Sequence, residues 1–209
     1  MLLNSEFFVN KNFKCQCGLK VGKCAVIDHP QKLEWQIKGQ GVINEGWALG
    51  KYEHRESKWG QYVYDFKWRP TEGVEKDKIR RALIADQVYE AMKYFWLNYF
   101  IKEKRLFNYV YPIPGSTGQH PSLAHAIGDR FERDGLKVLP EFIQVDQNIG
   151  GSSRGQRGLS LEEKMETLNK KFTWNGMSLP NDVNGVLIIN DVYETGASIR
   201  RSAKILSEI

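Results

Sequence analysis

No stretch of this chain reaches the ~18 consecutive apolar residues that a membrane-spanning helix requires, which argues against an integral membrane function. The opening, Met1-Leu-Leu-Asn-Ser-Glu, puts an acid where a secretory signal has its basic head, and no long apolar segment follows. A cytoplasmic location is therefore expected. Cysteine is scarce: there are three, Cys15, Cys17 and Cys24. An odd number in a reducing compartment rules against a disulfide framework. Internal repeats are missing. So is a Gly-Lys-Ser/Thr triplet, which excludes a Walker A loop.

What is present fits one domain, or one domain plus a small accessory lobe. The chain has 209 residues, 41% hydrophobic and 26% charged, long enough to bury a real core. A net charge of +5 favours anionic partners such as phosphates or nucleic acid without demanding them. The cysteines form a single C-x-C hook plus Cys24, with His29 as a candidate fourth ligand. A structural zinc site usually draws on two such hooks, so Zn²⁺ and ordinary reduced thiols both remain open.

Residues 1–50 are Gly- and Lys-rich with short apolar runs, which suggests a small β-rich lobe. The aromatic segment KWGQYVYDFKWRP, ending at Pro70, reads as strand-like. Over 74–101, Ile79, Leu83, Val88, Met92 and Phe95 recur at roughly helical spacing, predicting a long helix or a helix pair. Then follow a strand over 107–114, a helix over 122–135 closed by Gly135, and a strand within 137–145. Such alternation indicates βαβ units and a mostly parallel sheet. The run DQNIGGSSRGQRG has no apolar face and predicts a mobile loop, of a length that is often functional. A helix over 159–172 begins at Ser160 with Glu163 three residues on, a capping-box pattern. A linker with Pro180 leads to the last segment.

That segment, VLIINDVYETGASIRR, carries the most chemistry. Val186-Leu-Ile-Ile189 has no polar member and suits a central parallel strand buried on both faces. Ser198 onward reads as a helix with Ile199, Ala203 and Leu206 on one face. Between them lies a turn at the carboxyl end of the strand, where open α/β sheets bind ligands. Gly196 lets the backbone approach a ligand, Thr195 and Ser198 add hydroxyls, and the helix amino terminus offers free N–H groups. Together these suit a phosphate. Asp191 would repel that phosphate and is better matched to neighbouring hydroxyls or a metal ion. A phosphate with vicinal hydroxyls nearby describes a sugar phosphate.

The strand, the acid, and Thr195-Gly-Ala-Ser198 resemble the phosphoribosyl-pyrophosphate (PRPP) motif of type I phosphoribosyltransferases. More of the chain, about 50–209, is similar to the ComF-like subgroup linked to DNA uptake. The matching stretches are YVYDFKW, Val110-Tyr-Pro-Ile-Pro114, and Gln156, Leu159, Ser160, Glu163, Lys164 and Asn169 of the loop–helix pattern. The resemblance implies a Rossmann-like α/β fold, a mostly parallel sheet with flanking helices, plus a small N-terminal hood or zinc-finger-like lobe. It places the lobe at 1–50 and the transferase-like domain at 51–209, with hood elements over 51–105 and the core over 106–209.

It also implies roles. Thr195, Gly196, Ala197 and Ser198 would hold the 5-phosphate, within a PRPP turn that also includes Asn190, Val192 and Tyr193. Asp191 would hold the ribose and, indirectly, Mg²⁺. Backbone groups at Gly115 and Ser116 would bind pyrophosphate, and Glu194 would exchange a proton with a nitrogen of the acceptor nucleobase or nucleotide. Arg154 and Arg157 would close as a lid. Three features depart from the family: Asn190 replaces the first acid, the loop after Pro114 lacks basic residues, and only one cysteine hook remains. Relatives usually add a strand after the last helix, so either a shortened member or a sheet completed by a homodimer or another partner is expected.

The enzyme reading competes with a non-catalytic one, in which the pocket senses nucleotides and the chain handles single-stranded DNA. Arg80-Arg81, Lys102/Lys104/Arg105, Lys170-Lys171 and Arg200-Arg201, near Trp59, Trp68 and Trp96, are its candidate contacts. A defence component that modifies a cellular nucleotide is a third reading.

Overall fold

In a computed structural model of the chain, which describes residues 31–32, 47–49, 57–69, 73–99, 107–115, 121–149, 159–192 and 196–209, the first regular pairing is an antiparallel ladder. It joins β1 (Gln31–Lys32) to β2 (Trp47–Ala48). Two units divide the chain, one including Asn44–Leu106 and the other Phe107–Ile209.

In the first unit, the segment expected as a strand is a helix, α1 (Lys58–Lys67). Aromatic residues favour strands, but Ser57 accepts a hydrogen bond from the Gly60 N–H and caps the amino end. The buried positions then recur as Gly60, Val63 and Phe66, a helical period. Packing of that face outweighs local propensity. The long helix α2 (Val74–Tyr99) runs uninterrupted for 26 residues. Its buried face keeps Val88 of the apolar series but not the first two members. Ile84, Ala85, Val88 and Tyr89 are covered, whereas Ile79 and Leu83 are more than half exposed. The Arg81 guanidinium lies 5.2 Å from the Phe66 ring, so the inward stripe takes in a cation–π contact rather than Leu83. No helix among the described residues is long and apolar enough to cross a membrane.

The second unit is mixed α/β, built on a three-stranded parallel sheet with flanking helices. Strand β3 (Tyr109–Pro112) leads through α3 (Leu123–Arg133) to β4 (Lys137–Val138). Next come β5 (Ile143–Val145), α4 (Leu161–Lys171), β6 (Phe172–Trp174), β7 (Val186–Ile189) and α5 (Ala197–Glu208). The parallel sheet has the order β4-β3-β7. Every residue of β3 is buried, as befits a strand covered on both faces. Tyr109, Tyr111 and Ile113 join Leu161 and Leu168 of α4 and Ile205 and Leu206 of α5 in one core cluster. Alternation sends Pro112 to the other face, where α3 packs. There a Cβ on Gly128 would sit 3.3 Å from Pro112 Cγ, so glycine sets how closely α3 approaches.

Two expectations about strands need correction. Val186–Ile189 was expected at the sheet centre, but β7 pairs only with β3 among the described residues, and only Ile189 is fully buried. The central position belongs to β3. The single strand expected within 137–145 is two. Leu139 N–H still reaches Val110 O at 2.9 Å, but Pro140 has no N–H with which to continue. After it the chain enters a separate antiparallel ladder, Ile143 opposite Trp174 and Val145 opposite Phe172. Strand β6 lies where only a linker was expected. Its three residues are too short to show a period, and Phe172, 1% exposed, anchors it.

Helix boundaries agree well with the sequence. Ser160 and Glu163 form a complete capping box. Gly135, at φ +90°, ends α3 with Gly135 N–H on Glu132 O and Leu136 N–H on Phe131 O, a Schellman closure.

Candidate functional site

Strands β3 and β7 run in register, Tyr109 opposite Val186 and Pro112 opposite Ile189, and Ile113 N–H donates to Ile189 O at 2.9 Å. They therefore end level, and Gly115 and Asn190 leave the sheet at the same edge. From β3 the chain crosses through α3 to β4 on one side, while β7 lies on the other. Such a reversal at the carboxyl ends of parallel strands is the usual place for a ligand in this class of sheet.

The turn after β7 is shaped by its own residues. Asn190 Nδ2 donates to Val192 O at 2.6 Å. Gly196, at φ +75°, occupies the left-handed region and is the N-cap of α5. It has no side chain of its own with which to cap the helix. The first helical bond is Arg200 N–H to Gly196 O, which leaves the N–H groups of Ala197, Ser198 and Ile199 outside the α-helical ladder. Ala197 is buried, and Ser198 is partly exposed. Helix α5 is held from behind by Arg201, whose Nε and Nη2 both donate to Phe172 O, and by Ile205 and Leu206 in the core.

The structure thus gathers Gly115, Asn190, Asp191, Val192, Gly196, Ala197 and Ser198 at one edge of the sheet. Ser116, Tyr193, Glu194, Thr195, Arg154 and Arg157 lie outside the described residues. So do the zinc candidates Cys15, Cys17, Cys24 and His29. Among the described residues no group of three or more His, Cys, Asp or Glu side chains is placed to hold a metal.

Several basic residues with nucleic-acid potential are engaged within the protein. Arg80 and Arg81 both pair with Asp77, Lys170 pairs with Glu166 at 3.0 Å, and Lys171 is 3% exposed.

Two polar clusters were not visible in the sequence. At the amino end of β3, Tyr109 Oη donates to Asp182 Oδ1 at 2.7 Å and Lys137 Nζ to Asp182 Oδ2 at 2.6 Å. Lys137 holds the Asp182 carboxyl below its usual range, and the bond to Asp182 raises both Tyr109 and Lys137. This clasp lies at the opposite end of the strands from Gly115 and Asn190. At the carboxyl end, Ser122 Oγ is 2.7 Å from His125 Nδ1, and His125 Nε2 is 3.1 Å from Glu141 Oε1. The spacing S-x-x-H at a helix start hints at the first contact. Glu141 enters only through the fold.

No family model matches the chain, and no similar curated protein or solved structure is found.

Proposed function

We propose that the chain binds PRPP at the β7–α5 turn and is a Mg²⁺-dependent, ComF-like type I phosphoribosyltransferase. The observation that carries this reading is the left-handed Gly196, an N-cap with no side chain of its own at the amino terminus of α5, beside the carboxyl end of β3. Free N–H groups and the positive end of the helix dipole favour a phosphate there. Asp191 supplies the described carboxylate of the turn, suited to ribose hydroxyls. Asn190, with Nδ2 committed to Val192 O, presents Oδ1 as an acceptor for a further hydroxyl.

Mg²⁺ fits this donor set only as an ion carried by the ligand's own phosphate oxygens, with Asp191 holding it indirectly, where it would neutralise pyrophosphate charge. The protein's part is to seat the 5-phosphate on α5, to orient the ribose through Asp191 and Asn190, and to meet pyrophosphate with backbone groups near Gly115. A nitrogen nucleophile of a base or nucleotide then displaces pyrophosphate from the anomeric carbon.

Calorimetric titration with PRPP and Mg²⁺, repeated on Asp191→Asn, tests the reading. Binding by the native chain that the substitution abolishes is expected. A folded native chain that binds no PRPP overturns it.

The alternative, a non-catalytic protein that handles single-stranded DNA, is favoured by one feature. Helix α1 carries Lys58 4.9 Å from the Trp59 ring and Lys67 5.5 Å from Trp68, which is 45% exposed. Such aromatic and basic pairs suit base stacking beside a phosphate backbone. A steep fall of single-stranded DNA affinity with salt is its signature.

A further inference from the structure

We propose that Ser122, His125 and Glu141 form a second chemical centre, an activated hydroxyl that reacts with small neutral esters. It is independent of the sugar-phosphate reading, since none of the three belongs to the β7–α5 turn.

The three groups come from two segments that the sheet brings together. Ser122 is the N-cap of α3, and its Oγ accepts the His125 N–H at 3.3 Å. Glu141 follows β4, which the crossover through α3 lays beside β3. The Glu141 carboxylate assigns the ring proton to His125 Nε2, which donates to Oε1. His125 Nδ1 is then the lone-pair nitrogen and accepts the Ser122 hydroxyl proton across 2.7 Å. A hydroxyl, a base and an orienting carboxylate in hydrogen-bonded series define an activated nucleophile by geometry and role, whichever ring nitrogen faces the hydroxyl.

The surroundings favour the charges that would develop. The first helical bond of α3 is Ala126 N–H to Ser122 O at 3.0 Å, so the N–H groups of Leu123 and Ala124 are outside the helical ladder. They lie next to Ser122 and can meet an oxyanion. A positive imidazolium at a helix amino terminus is disfavoured by the dipole, and Glu141 offsets that cost. Ser122 is 8% exposed and the Glu141 side chain 55%, so the hydroxyl itself is nearly covered and suits only small substrates. The carboxylate there disfavours anionic ones.

The chemistry balances with water as the only co-reactant. Ser122 Oγ attacks the ester carbonyl carbon while its proton moves to Nδ1. The tetrahedral oxyanion collapses, the ester C–O bond breaks, and the departing alcohol takes the proton from Nδ1. Water then attacks the acyl-serine with Nδ1 as base, releasing the acid and restoring the hydroxyl.

The test is covalent labelling of the full chain with a fluorophosphonate, which Ser122 would phosphonylate with loss of fluoride, followed by peptide mass spectrometry. The expected result is an adduct on Ser122, formed on the order of 100-fold more slowly in His125→Gln and also slowed in Glu141→Gln. Ser122→Asn, which keeps a capping acceptor, should show no adduct at that position and an unchanged melting profile. A folded native chain without an adduct on Ser122 overturns the proposal. So does an adduct that forms equally fast in His125→Gln, which would reduce the trio to a helix cap.

Discussion

The amide of Asn190 donates to the carbonyl of Val192 at 2.6 Å, so the residue that departs from the acidic PRPP pattern is the one that braces the turn. A carboxylate at this position has no hydrogen to give and would face the carbonyl oxygen with a negative charge. The departure therefore has a local structural reason.

Asn190→Asp, although it supplies the acid of the PRPP motif that this turn resembles, is expected under the proposed function to weaken PRPP binding and to cost about 1 kcal/mol of stability, the usual worth of such a hydrogen bond. Calorimetry and a denaturant melt on the same preparation check both parts. Tighter binding would show that charge matters more here than the brace.

Gly128 meets Pro112 across the α3–β3 contact. Alanine gains roughly 1 kcal/mol of helix propensity over glycine, but its Cβ would lie 3.3 Å from a ring whose backbone is fixed in the central strand. We expect Gly128→Ala to be near neutral and Gly128→Val to lose about 2 kcal/mol through overpacking. Chemical denaturation of the two variants distinguishes crowding from propensity. Equal effects would show that the contact yields freely.

The clasp of Tyr109, Lys137 and Asp182 should make stability depend on pH at both extremes. Asp182 is held below its usual 3.8, so its contribution is present above that value and lost as pH falls through the folded one. Tyr109 and Lys137 are raised, so theirs is present below 10.0 and 10.5 and lost as pH rises through their folded values. Thermal melts of the native chain and Asp182→Asn should differ most near neutrality and converge towards pH 2 and above pH ~11. A constant difference across the range would remove the ionic part of the clasp.

Tyr111 is 1% exposed, and its Oη makes no hydrogen bond of ordinary geometry, although the Ile143 backbone lies close enough to oppose part of the effect of burial. Burial pushes the phenol well above its usual range. Because an unpartnered buried hydroxyl costs about 1–3 kcal/mol, Tyr111→Phe is expected to leave the melting temperature unchanged or raise it. A clear loss of stability would mean that the hydroxyl is served by water.

The elements that could be read from the sequence are those whose signals are local. Ser160 with Glu163, Gly135 after an amphipathic run, and an apolar tetrad before a Gly-bearing turn each act within a few residues, through capping bonds or a left-handed backbone. The same locality marked the β7–α5 turn as a candidate anion site. Where the outcome depended on what packs against what, the sequence misled. The aromatic run 58–67 became a helix because Gly60, Val63 and Phe66 share a buried face, and the inward stripe of α2 turned away from Ile79 and Leu83.

By itself, then, the sequence determined where α3 and α4 begin and where α3 ends, because backbone groups at helix ends must find partners among near neighbours. Only the tertiary structure decided that β3 rather than β7 is the central strand, that Asp182 clasps Tyr109 and Lys137, and that Glu141 stands behind His125. Those relationships join segments from different elements, 16 residues apart for His125 and Glu141 and 73 for Tyr109 and Asp182. Sheet order and register alone bring such residues together.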